Sequence, residues 1–133
     1  MKRILLAYDG TEPAKRALAH TIQLATSFSA QVGVISVVPV RPSRTVIDPW
    51  DDRSIHAEEL LEARTELRQA GIEPELYEPG GDPAKTIERL AQEHDYDTII
   101  IGSRGLSSVA RVLQGSVSEH VATHANATVV VAR

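Results

Sequence analysis

Apolar runs alternate with amphipathic stretches along the whole chain. Residues 3–8, Arg-Ile-Leu-Leu-Ala-Tyr, form a short apolar run closed by Asp9-Gly10, which predicts a buried strand and then a turn. Thr11 is placed to cap a helix, and Pro13 falls in its first turn, where a missing N–H costs nothing. Ala14, Ala17, Leu18, Thr21, Ile22, Ala25 and Phe28 recur at helical spacing, so the helix runs to about Ser27. Residues 32–38, Val-Gly-Val-Ile-Ser-Val-Val, are mostly β-branched and predict a second buried strand, ended by Pro39 and Pro42. Residues 39–54 hold three prolines and the only tryptophan, Trp50, and read as a long loop. Helical character returns over 55–70, with Ala57, Leu60, Leu61 and Leu67 assigned to one face and Gly71 to its end.

The second half repeats the scheme. Residues 72–78 alternate apolar and acidic positions, as a half-exposed strand near a sheet edge does. Pro79-Gly80-Gly81-Asp82-Pro83 is a turn, with Asp82 as cap and Pro83 as first helical residue. Ala84, Ile87, Leu90, Ala91 and His94 mark the third helix. Thr98-Ile-Ile-Ile101 is a central strand, 102–115 a glycine-punctuated loop, Ser116 to about His124 a short helix, and Thr128 to Ala132 a last strand. Strands alternating with helices call for a single α/β domain over 1–133: a doubly wound, five-stranded parallel sheet with helices on both faces. Ligands of such sheets sit at the carboxyl ends of the strands beside the topological switch point, which makes Asp9-Gly10 and the Gly102 loop neighbours.

Composition narrows the function. No cysteine is present, which excludes disulfides, thiol nucleophiles and cysteine-ligated metals. No apolar run approaches a membrane span, and the N-terminal run is too short for a signal-peptide core, so a cytoplasmic protein with no membrane insertion is expected. The net charge of −4 is uneven: residues 1–47 carry six Lys/Arg against two Asp/Glu, 48–97 five against fifteen, and 98–133 three against one. Aromatic residues make up 4%, and no basic stripe interleaves them, which argues against nucleic acid. The acidic middle reads as solvated helix faces, and the two basic ends suit a small anion.

The stretch from Gly102 to Ser116 follows a buried strand and opens a helix. Glycine lets backbone approach a ligand closely, and a helix N-terminus presents unpaired N–H groups and partial positive charge, so the combination is an anion site that suits phosphate. It is neither Gly-x-x-x-x-Gly-Lys-[Ser/Thr] nor Gly-x-Gly-x-x-Gly. Taken alone, the glycines could also do no more than shape turns.

The spacing Gly102, two residues, Gly105, nine residues, Gly115-Ser116 resembles the nucleotide-binding motif of the universal stress protein family, in its ATP-binding branch. Residues 3–10 resemble that family's first strand and Asp-Gly turn, Ile100 to Leu106 its fourth-strand loop, and Thr128 to Val131 its closing strand. The resemblance implies a flavodoxin/Rossmann-like domain with strand order 3-2-1-4-5, usually a homodimer. It implies ATP as ligand (with AMP or ADP as alternatives), accompanied by Mg or Mn. Asp9 matches the aspartate near ribose and the phosphate-bound metal, and Val37 the residue whose backbone recognises adenine. Ile101, Gly102, Ser103 and Gly105 match the ribose and phosphate loop, with Arg104 between its glycines. Gly115, Ser116 and Val117 match the helix start that holds the phosphate tail. Thr128 stands where a proline is common, and Ser36 where a histidine is common.

No nucleophile–base–acid set emerges from spacing, so no catalytic residue is assigned and at most slow ATP hydrolysis is expected. His120 and His124, four apart on one helix, suggest a metal pair, but no third ligand has an obvious place, so they read as surface histidines. The expected role is a nucleotide-dependent stress sensor or signalling module with a protein partner. The alternatives are an enzyme acting on the ATP α-phosphate and a nucleotide-free dimerisation module. Residues 128–132, short, apolar and at a sheet edge, are the expected homodimer contact.

Overall fold

The computed structural model describes residues 1–39, 53–103 and 116–133, except for the side chains of Arg53, Ser54 and Ser116. Its elements run β1 (Arg3–Ala7), α1 (Glu12–Phe28), β2 (Gln31–Ile35), α2 (Arg53–Gln69), β3 (Glu75–Tyr77), α3 (Pro83–Glu93), β4 (Thr98–Gly102), α4 (Ser116–His124) and β5 (Thr128–Ala132). The five strands form one parallel sheet in the order β3-β2-β1-β4-β5. This is the doubly wound architecture expected from the alternation of elements.

Strand periodicity divides the core into two layers. Ile4, Leu6 and Tyr8 face one side and pack with Ala14, Ala17 and Leu18 of α1 and Leu60, Ala63 and Leu67 of α2. Leu5 and Ala7 face the other side and pack with Ile87, Leu90 and Ala91 of α3 and Val121 of α4. The central strands are buried on both faces, which explains why β1 and β4 read as unbroken apolar runs. The caps form as expected: Thr11 Oγ1 accepts from the Ala14 N–H at 3.4 Å, and Asp82 Oδ2 from the Lys85 N–H at 3.1 Å.

Three local expectations change, the first being the strand expected over 72–78, which is confined to Glu75–Tyr77. The regular part of β2 ends at Ile35 rather than Val38. Beyond it, pairing with the β3 side continues irregularly: Ser36 N–H donates to Tyr77 O, Val38 N–H to Pro79 O, and Gly81 N–H to Val38 O. Pro79 has no N–H to return. In α2 the buried stripe is His56, Leu60, Ala63 and Leu67, whereas Ala57 and Leu61 are exposed. The face assigned from spacing is thus corrected: this helix has few apolar residues to fix its rotation, and a histidine completes its inner face. The expected loop over 39–54 lies almost wholly outside the described residues. Among the described residues no helix is long and apolar enough to cross a membrane.

Candidate functional site

β1 and β4 are neighbours, and the chain leaves their carboxyl ends in opposite directions, to α1 and toward α4. The crossovers therefore diverge there and leave a crevice. An open cleft occupies that position. Its walls are mostly apolar: Ala7, Ala14, Ile35, Val37, Ile87, Ile101 and Val117. Asp9, Ser36 and His56 bring polar groups, and Gly102 lies on its wall. An apolar cleft with a few convergent polar groups is the usual form of a small-molecule site.

Asp9 is half-buried at the end of β1. Its Oδ1 accepts from the Thr11 N–H at 3.1 Å and the Thr11 hydroxyl at 2.5 Å. The carboxylate is thereby oriented by the residue that caps α1. Gly10 adopts φ +76°, so this turn favours glycine for its conformation, and a Cβ there would lie 3.3 Å from the flexible Glu59 side chain. At Gly102 a Cβ would stand 2.8 Å from Pro13 C and Cβ. The glycine lets the first turn of α1 pack against the end of β4.

Of the residues singled out from sequence, the structure gathers Asp9, Val37, Ile101, Gly102 and Val117 around the cleft. Ser103 does not line it. Its N–H donates to Ala132 O at 2.6 Å, and its carbonyl accepts from Ser118 Oγ at 3.3 Å, which ties the end of β4 to β5 and α4. Ser116 opens α4. Arg104, Gly105 and Gly115 lie outside the described residues.

Sequence reasoning gave no site role to Tyr8 or His56. Tyr8 is buried and donates its hydroxyl to Glu62 Oε1 at 2.5 Å. Burial and that carboxylate push its pKa above the ordinary tyrosine range, so it stays protonated. His56 Nδ1 lies 2.8 Å from Ser36 Oγ and 3.5 Å from Glu59 Oε2, and Ser36 Oγ lies 3.3 Å from the same carboxylate oxygen. A hydroxyl, an imidazole and a carboxylate thus meet, contrary to the sequence expectation of no such set. A relay puts the hydroxyl on one ring nitrogen and the carboxylate on the other, whereas here both approach Nδ1. The detectable signals were a serine inside a β-branched run and a histidine one turn before Leu60.

Fold and cleft together define a doubly wound α/β domain with an apolar cleft at its switch point. The whole chain, residues 1–133, matches the profile of the universal stress protein family. It is 35% identical to a putative universal stress protein of Staphylococcus aureus, over 99% of this chain and 84% of that one. It is 31% identical to a universal stress protein of Synechocystis, over 97% and 96%. Among solved structures, it superposes on the universal stress protein of Archaeoglobus fulgidus in complex with dAMP. That match has a TM-score of 0.72 and 25% identity, covering 100% of this chain and 98% of the other. The chain belongs to the universal stress protein family.

Proposed function

We propose that this protein binds an adenine nucleotide, ATP with Mg²⁺ or Mn²⁺, in the switch-point cleft, and acts as a nucleotide-dependent stress sensor in the cytoplasm rather than as a rapid catalyst. The observation that carries the reading is the convergence of Asp9, Val37, Ile101, Gly102 and Val117 on one cleft at the switch point. The dAMP complex of the Archaeoglobus fulgidus protein supports the ligand class.

In this reading the backbone at Val37 reads the base, and the apolar walls of Ile35 and Ile101 exclude water around it. Asp9, oriented by Thr11, faces the ribose and any phosphate-bound cation. Gly102 keeps the strand end free of side chain. The N-terminus of α4, at Ser116-Val117, offers N–H groups to phosphate oxygens. Arg104, Gly105 and Gly115 enter through the sequence spacing alone.

The test is calorimetric titration of ATP·Mg²⁺ into the wild type and into Gly115→Leu. The expected result is one site per chain, with affinity reduced at least about tenfold in the variant, the equivalent of about 1.4 kcal/mol. Gly102 is a poor choice for this test, because its Cβ would strike Pro13 and disturb the fold. Equal affinity in the two proteins would overturn the assignment of the phosphate end.

A further inference from the structure

Across the α3–α4 contact, two histidines and a carboxylate come together. His120 and His124 are one turn apart, and their rings stack at 4.1 Å between centroids with 22° between planes. Glu88 reaches across from α3, with its Oε1 2.7 Å from His120 Nδ1. One ligand atom from each of the three lies within 4.8 Å of the others. Glu88 and His120 are partly buried and His124 is exposed, so the group is open to solvent yet held on two helices.

The tautomers suit a metal. His124 Nδ1 lies 3.0 Å from the His120 carbonyl oxygen. A carbonyl only accepts, so Nδ1 carries the proton and Nε2 carries the lone pair. Ligating histidines are characteristically oriented in this way, with the other ring nitrogen donating to a backbone carbonyl or carboxylate. Between Glu88 and His120 a single proton bridges carboxylate and imidazole, and a cation can replace it. The charge around the group does not forbid this. The open groove beside it is lined by Lys85 and Arg89, but also by Glu88, Asp95 and Asp97.

We propose that Glu88, His120 and His124 form a binding site for a divalent transition metal of the Zn²⁺ type, clipping α3 to α4. Two imidazoles, one carboxylate and a water complete a tetrahedral set of a kind Zn²⁺ favours. Ligand atoms on such an ion stand roughly 3.3 Å apart, given bonds of about 2.0–2.1 Å. The Glu88–His120 pair therefore opens slightly and His124 closes in, by side-chain rotation on a partly exposed face. α4 also carries Val117 to the nucleotide cleft, so the clip would hold the helix that ends that site. The metal site stands independently of the nucleotide reading.

The test is titration of ZnCl₂ into the untagged, nucleotide-free chain by calorimetry in a non-coordinating buffer. One Zn²⁺ per chain is expected, with His120→Ala, His124→Ala and Glu88→Gln each weakening binding by about tenfold or more. His20→Ala, on the exposed face of α1, is expected to bind as the wild type does. Co²⁺ bound to the wild type is expected to give the visible spectrum of a tetrahedral ion, a readout that needs no variant. Absence of saturable Zn²⁺ binding, unchanged binding in a folded His120→Ala/His124→Ala protein, or an octahedral Co²⁺ spectrum would each overturn the proposal.

Discussion

Asp97 is an exposed aspartate at the amino end of β4 whose Oδ2 accepts from the Lys2 and Arg3 N–H groups at 2.8 and 3.0 Å. Its own N–H donates to Arg3 O, and its carbonyl accepts from Thr128 N–H, so one residue joins the starts of β1, β4 and β5. Partial burial raises its pKa, but the Thr98 hydroxyl, those backbone amides and the N-terminal charge outweigh it and hold the carboxyl below its usual range. A folded pKa below the unfolded value of about 3.9 means a contribution present above about pH 4. That contribution is lost as pH falls through the lowered folded value. Asp97→Asn is therefore expected to lower stability at pH 7 by about 1 kcal/mol, a figure discounted for solvent exposure. Urea unfolding at successive pH values checks this: the two proteins should differ at pH 7 and converge in strong acid. None of this was legible in sequence, where Asp97 is one of fifteen acidic residues in the middle segment. Asp9 was legible because it closes an apolar run at a turn. His56 was not, because a histidine in a polar helix carries no mark of burial until the helix's rotation is known.

At the scale of elements, hydrophobic period gave the existence and order of all nine, and capping chemistry gave the starts of α1 and α3. Rotation was harder. α1 and α3 carry wide apolar stripes, and their inner faces are unambiguous. α2 carries few apolar residues, and its inner face is completed by Ala63 and by His56, whose polar atoms meet Ser36. Leu60 and Leu67 are buried, whereas Leu61 is 46% exposed. Leu67→Ala is expected to cost about 3 kcal/mol, since it empties a fully buried position against β1 and β2. Leu61→Ala is expected to stay within about 0.5 kcal/mol. Chemical denaturation of both variants measures the contrast, and similar losses would contradict the observed rotation of α2. The Glu88–His120–His124 group belongs to this scale too. The two histidines were visible as an i, i+4 pair, but their third member lies on another helix, 32 residues earlier.

For the molecule as a whole, the strand order β3-β2-β1-β4-β5 joins distant parts of the sequence at one crevice. The basic outer segments of the chain supply Asp9, Val37, Ile101, Gly102 and Val117, while the acidic middle supplies α2, β3 and α3. Net charge alone gives no hint of the anionic ligand proposed above; its distribution along the chain is compatible with one. β5 forms one edge of the sheet, with Val131 39% exposed. Unpaired strand edges invite pairing with a second copy, and we propose a homodimer through residues 128–132. Sedimentation at micromolar concentration is expected to give a dimer, and Val131→Lys to shift it to monomer. A wild-type monomer would remove this proposal and leave the cleft untouched, because none of the cleft's described residues lies on β5.

A crystal structure of the chain grown with ATP and Mg²⁺ tests the central claim most directly. Adenine is expected against the Val37 backbone, ribose beside Asp9, and phosphates at the start of α4 near Ser116 and Val117. Nucleotide bound elsewhere, or an unaltered cleft at millimolar ATP, would contradict the account.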